Sequence, residues 1–97
     1  MSGKYSKVQT LIFSAEISSS SFSNDEQILL IGLRSGVLKV FHKNLMYEES
    51  QSLNVSSSPL QTLSITNGRE MIATGARDRV ARIYKKTDQE YELNQSI

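Results

Sequence analysis

The 97 residues amount to one domain at most, and a chain this short buries a modest share of its surface, so its core is thin. With 38% hydrophobic and 22% charged residues the composition is globular, not disordered. Lys+Arg 11 against Asp+Glu 10 leaves +1, which marks out neither nucleic acid nor an anionic membrane as the default partner.

No cysteine is present, which excludes disulfides and thiolate metal sites and fits a reducing intracellular compartment, cytoplasmic or nuclear. The opening MSGKYSKVQTLIF carries no cleavable-signal pattern, and the longest apolar run, residues 28–31, is far too short to span a bilayer.

β-Branched residues, Ser and Asn fill the windows long enough for a helix, so strands are expected throughout. In chain order they fall near 7–13, 17–22, 28–32, 36–42, 47–53, 60–65, 70–75, 79–85 and 90–95, each antiparallel to its sequence neighbour. Segments 28–31, 37–41, 71–74 and 80–84 are apolar on both alternating faces, the pattern of strands covered on two sides. Segments 47–54 and 90–95 are more polar and suit an outer rim. The small residues of 18–21 suit a crowded inner position. Ser56-Ser57-Ser58-Pro59 marks a turn.

Residues 22–43 repeat as residues 65–86 without a gap. Gly32 falls on Gly75, Phe41 on Tyr84, Asn24 on Asn67, Arg34 on Arg77, Val37 on Val80, Lys39 on Arg82, Val40 on Ile83, and Ser23 on Thr66. The 43-residue period lies in the range of about 40–45 expected for four-stranded propeller blades.

On these residues the chain resembles the WD-repeat β-propellers. The second unit carries the resemblance in Ile65-Thr66-Asn67-Gly68, in Ile72-Ala73-Thr74-Gly75-Ala76-Arg77-Asp78 and in Ile83-Tyr84. The first carries it in Phe22-Ser23-Asn24-Asp25, in Leu29-Leu30-Ile31-Gly32-Leu33-Arg34 and in Val40-Phe41. Phe41 and Tyr84 stand where the family has Trp. The family's His position falls on Phe13 and Ser56. Of the family's His–Asp–Ser/Thr–Trp network the second unit keeps Thr74, Asp78 and Tyr84, whereas the first has Ile31, Ser35 and Phe41. The resemblance implies an all-β fold of antiparallel four-stranded blades, about two of them. With no His to complete that network, Asp78 is expected mainly to order its turn by accepting backbone N–H bonds.

The expected organisation is a strand of a preceding or ring-closing blade in 1–14, blade one in 15–54 and blade two in 55–97. Nothing marks a catalytic, cofactor or metal site. His42 stands alone, the pairs Asp25-Glu26 and Glu48-Glu49 have no base or nucleophile beside them, and the glycines form no phosphate-cradling loop. Arg77, Arg79, Arg82, Lys85 and Lys86 make the densest basic run and are the candidate partner-binding residues. The implied role is a protein–protein interaction scaffold within a larger assembly, with RNA binding through residues 77–86 as the alternative. Two blades leave outer faces open, with Leu29, Ile31, Val37 and Phe41 on one side and Met71, Ala81, Ile83 and Tyr84 on the other. The chain is therefore expected to work with further blades or partner proteins, not as a lone monomer.

Overall fold

The computed structural model describes residues 6–97. Eight strands form two separate four-stranded antiparallel sheets in chain order. Blade one holds β1 (Ile17–Phe22), β2 (Ile28–Leu33), β3 (Val37–Asn44) and β4 (Met46–Asn54). Blade two holds β5 (Leu60–Ile65), β6 (Met71–Ala76), β7 (Ala81–Thr87) and β8 (Glu90–Ser96). No helix occurs among the described residues. The sheets approach most closely at the inner strands β1 and β5, and the outer strands β4 and β8 lie apart. That wedge is propeller geometry.

The main core lies between the blades. Ile28, Leu30, Leu38 and Val40 of blade one meet Leu60, Ile72, Ala76, Tyr84 and Tyr91 of blade two, with Val55 of the connection among them. Each aliphatic side chain fully buried here contributes roughly 1.5–3 kcal/mol relative to exposure. The inner strands need small residues to come this close. A Cβ on Gly75 would lie 2.5 Å from Thr62 Oγ1, and one on Gly32 would meet Ser19 Oγ and, at 3.0 Å, Leu60 Cβ.

The turns repeat as closely as the strands. Between β1 and β2 the Ser23 hydroxyl accepts from Ile28 N at 2.9 Å, and between β5 and β6 the Thr66 hydroxyl accepts from Met71 N at 3.1 Å. Glu26 and Arg69, one repeat apart, both take left-handed backbone (φ 63° and 62°). Gly36 (φ 90°) and Arg79 (φ 68°) share the equivalent place between the second and third strands of each blade. One difference breaks the register. The β3–β4 turn sits between paired Asn44 and Met46, whereas the β7–β8 turn sits between paired Thr87 and Glu90 and is one residue longer.

Three expectations are corrected. Residues 7–13 form no strand, because no backbone ladder partner lies beside them among the described residues. They nevertheless keep a strand's alternation, with Val8 and Ile12 exposed while Leu11, Phe13 and Ala15 pack on Leu29, Ile31, Leu33 and Phe41. The outer face of blade one is thus covered, not open. Tyr84 also leaves the open set, since β7 turns it toward blade one, where it is buried. Finally, residues 79 and 80 belong to the turn and β7 begins at Ala81, because left-handed Arg79 ends the extended backbone there.

Candidate functional site

The five basic residues do not form one patch. The β6–β7 pairing sets Gly75 against Ala81 and Met71 against Lys85, so β7 separates its two ends. Arg77 and Arg79 lie exposed on the turn at one end, while Lys85 and Lys86 lie at the other. Between them Arg82 is committed to an ion pair with Asp78 at 2.9 Å, and its side chain is only 17% exposed.

Asp78, Thr74 and Tyr84 do not meet as a network. Asp78 accepts from the Ser56 hydroxyl at 2.8 Å, from Arg82 Nη2 at 2.9 Å and from the Val80 amide at 3.0 Å. Only one of these three donors is a backbone N–H, so the expectation for Asp78 needs correcting toward side-chain partners. The Arg82 guanidinium, then the Ser56 hydroxyl and the Val80 amide, hold its carboxyl down to about 2, against an ordinary 3.8. Thr74 Oγ1 instead donates to the Arg82 carbonyl at 3.3 Å, and Tyr84 serves as a buried apolar body. Ser56 stands at the position matched above to the family's His. A hydroxyl there reaches the same carboxylate, and Ser56 Oγ also accepts from Ser58 N at 3.0 Å, which fixes the connection between the blades. Blade one replaces this polar tie with an aromatic one: Phe13 and Phe41, one repeat earlier, pack edge-on with ring centroids 5.8 Å apart.

Sequence reasoning missed the polar links across the blades. At the inner end Ser18 Oγ donates to the Leu60 carbonyl at 2.6 Å. At the turns, Asp25 and Arg69 pair at 3.4 Å. At the rim, Gln51 of β4 holds Tyr91 of β8 by both backbone groups: its amide donates to the Tyr91 carbonyl and accepts from the Tyr91 N–H, each at 2.8 Å. Gln9 does the same to Tyr47, with both bonds at 2.9 Å. Each clamped tyrosine in turn donates its hydroxyl to a left-handed turn residue, Tyr47 to the Glu26 carbonyl and Tyr91 to the Arg69 carbonyl, both at 2.6 Å.

Among the described residues no group of three His, Cys, Asp or Glu side chains gathers to hold a metal, and no helix is long and apolar enough to cross a membrane. His42 is half-buried in β3, paired with Ile28 and Glu48. The conspicuous free surface is the outward face of blade two, where Met71 is 40% exposed beside exposed Ala73 and half-buried Ala81 and Ile83.

No family model matches the sequence, and no curated protein matches it. Among solved structures, the chain is similar to the β-propeller domain of Cps50 (Swd1) from Myceliophteria thermophila, with a TM-score of 0.70 at 18% identity. The match covers 82% of this chain and 26% of that one, so the chain spans about a quarter of the propeller it resembles. The fold is that of two β-propeller blades.

Proposed function

We propose that the chain is a non-catalytic interaction scaffold, two blades of a WD-repeat-type propeller that acts within a larger assembly. The observation that carries this reading is the unequal treatment of the two outer faces. Residues 11–15 close blade one, whereas blade two leaves Met71 and Ala73 exposed and Ala81 and Ile83 half-buried on its outward face. An apolar sheet face of this kind marks a place where something packs. Residues 6–13, alternating like a strand and clamped through Gln9, take the place of a preceding blade's outer strand, whether that blade opens the array or closes a ring.

RNA binding is the rival, and the separation of Arg77 and Arg79 from Lys85 and Lys86 weakens it. The test uses the intact protein at its native stoichiometry. Native mass spectrometry is expected to find this chain in a fixed-ratio complex or within a larger propeller. Titration with a single-stranded RNA at about 50 and 200 mM salt is expected to show no steep salt-dependent binding. A steep slope that Arg77→Ala and Arg79→Ala flatten would favour RNA.

A further inference from the structure

We propose that Gln95 is the third in a series of side-chain amide clamps, and that it takes the backbone of a following blade's outer strand. The inference rests on the propeller reading above and adds the surface, the residue and the chemistry of the partner.

The clamps exist because the sheets diverge toward the rim. Backbone groups of β4 and β8 lie too far apart to form a ladder, but a glutamine side chain spans the gap. Its amide carries an acceptor oxygen beside a donor nitrogen, the same pair that a peptide group offers across an antiparallel ladder. Gln9 and Gln51 each satisfy one N–H and one C=O of an edge strand that pairs with no further strand among the described residues.

Gln95 occupies the same register. Gln51 pairs with Val40 just beyond a bulge in β4, and Gln95 pairs with Ile83, the repeat equivalent of Val40, just beyond a bulge in β8. Gln51 therefore shares a face with Val40, and Gln95 shares one with Ile83. On blade one that face, built from Ile28, Leu30, Leu38 and Val40, is covered by blade two. On blade two the equivalent face carries no second sheet among the described residues: Met71 and Ala73 are exposed, Ala81 and Ile83 half-buried, and Gln95 is exposed beside them. Apolar face and clamp thus recur together.

The occupant is a β-blade of this repeat type with an unpaired N–H and C=O on its outer strand. A second copy of this chain does not offer such a strand at its blade one. Its blade one already has the Tyr47 backbone held by Gln9, and its matching face is packed by Leu11 and Phe13.

The experiment uses the intact protein and two readouts. The rate of Met71 oxidation by hydrogen peroxide, compared with that of Met46, reports whether anything covers the face. The folding equilibrium constants of Gln95→Ala, Gln51→Ala and Gln89→Ala report on the clamp. Met71 is expected to be protected relative to Met46. Gln95→Ala and Gln51→Ala are expected to lower the constant by about fivefold each, the scale of one net hydrogen bond, and Gln89→Ala by far less. Protected Met71 with Gln95→Ala behaving like Gln89→Ala would overturn the clamp and leave the propeller reading standing. Met71 oxidised as fast as Met46 would overturn both.

Discussion

Ser56 and Asp78, 22 positions apart in sequence, are joined by a 2.8 Å hydrogen bond that ties the connection between the blades to the β6–β7 turn. The same carboxylate holds Arg82, so three segments converge on a side chain that is 26% exposed.

Asp78→Asn should therefore destabilise the fold, and Ser35→Ala, at the matching place in blade one, should cost clearly less. The effect carries a pH signature. The folded carboxyl sits at about 2, below its ordinary 3.8, so its contribution is complete above about pH 4 and is lost as pH falls toward 2. Denaturant midpoints measured from pH 5 to pH 2, in whatever assembly keeps the chain folded, should show wild type converging on Asp78→Asn. A constant gap across that range would refute the role of the charge.

Gly36 and Arg79 share a left-handed turn position, yet substitutions there should have opposite signs. At Gly36 a Cβ would collide with the Ser56 carbonyl, and left-handed backbone adds its own strain, so Gly36→Ala should cost about 2 kcal/mol or more. Arg79 is exposed and already bears that strain. Arg79→Gly should stabilise by about 0.5 kcal/mol. Thermal melts of the two variants decide the sign.

The inner strands supply a coupled pair. Gly75→Ala should cost about 1–3 kcal/mol by overpacking against Thr62, and Thr62→Ala should rescue much of the loss because Oγ1 is the close atom. Gly32→Ala should resist rescue by Ser19→Ala, since Leu60 Cβ also stands 3.0 Å away. Two double-mutant cycles would measure the difference.

Tyr91→Phe removes the hydroxyl that reaches the Arg69 carbonyl at 2.6 Å and should cost about 1 kcal/mol. Tyr47→Phe should cost less, because its bond to Glu26 is exposed. Burial also raises the Tyr91 and Tyr84 phenols above 10.0. The neutral forms are favoured in the fold, so this stability is intact below about pH 10 and declines above it. Tyr91→Phe should show a shallower alkaline decline than wild type.

Much of this fold is legible in the sequence because strands buried on two faces leave few alternatives. Segments such as 28–31 and 80–84 read apolar on both sides, and the gapless repeat ties them into equivalent blades. What stays hidden depends on contacts between distant residues or on backbone strain. Ser56 lies at the matched histidine place, but its hydroxyl gives no sign in sequence of reaching Asp78. Glu26, Arg69 and Arg79 take left-handed backbone without glycine to announce it. The clamps escape because the β7–β8 turn is one residue longer than its counterpart, so Tyr91 falls out of the 43-residue frame that would match it to Tyr47. The basic run looked continuous because sequence adjacency does not show that a strand carries its two ends apart.

The central claim is that these two blades are built to receive another along the free face of blade two. Light scattering coupled to size exclusion, with circular dichroism melting on the isolated 97-residue chain, tests it most directly. One open apolar face per chain favours closed pairs over open-ended polymers. The account expects a concentration-dependent dimer, with a melting temperature that rises as the dimer fills. A monodisperse monomer that melts cooperatively at every concentration would contradict it.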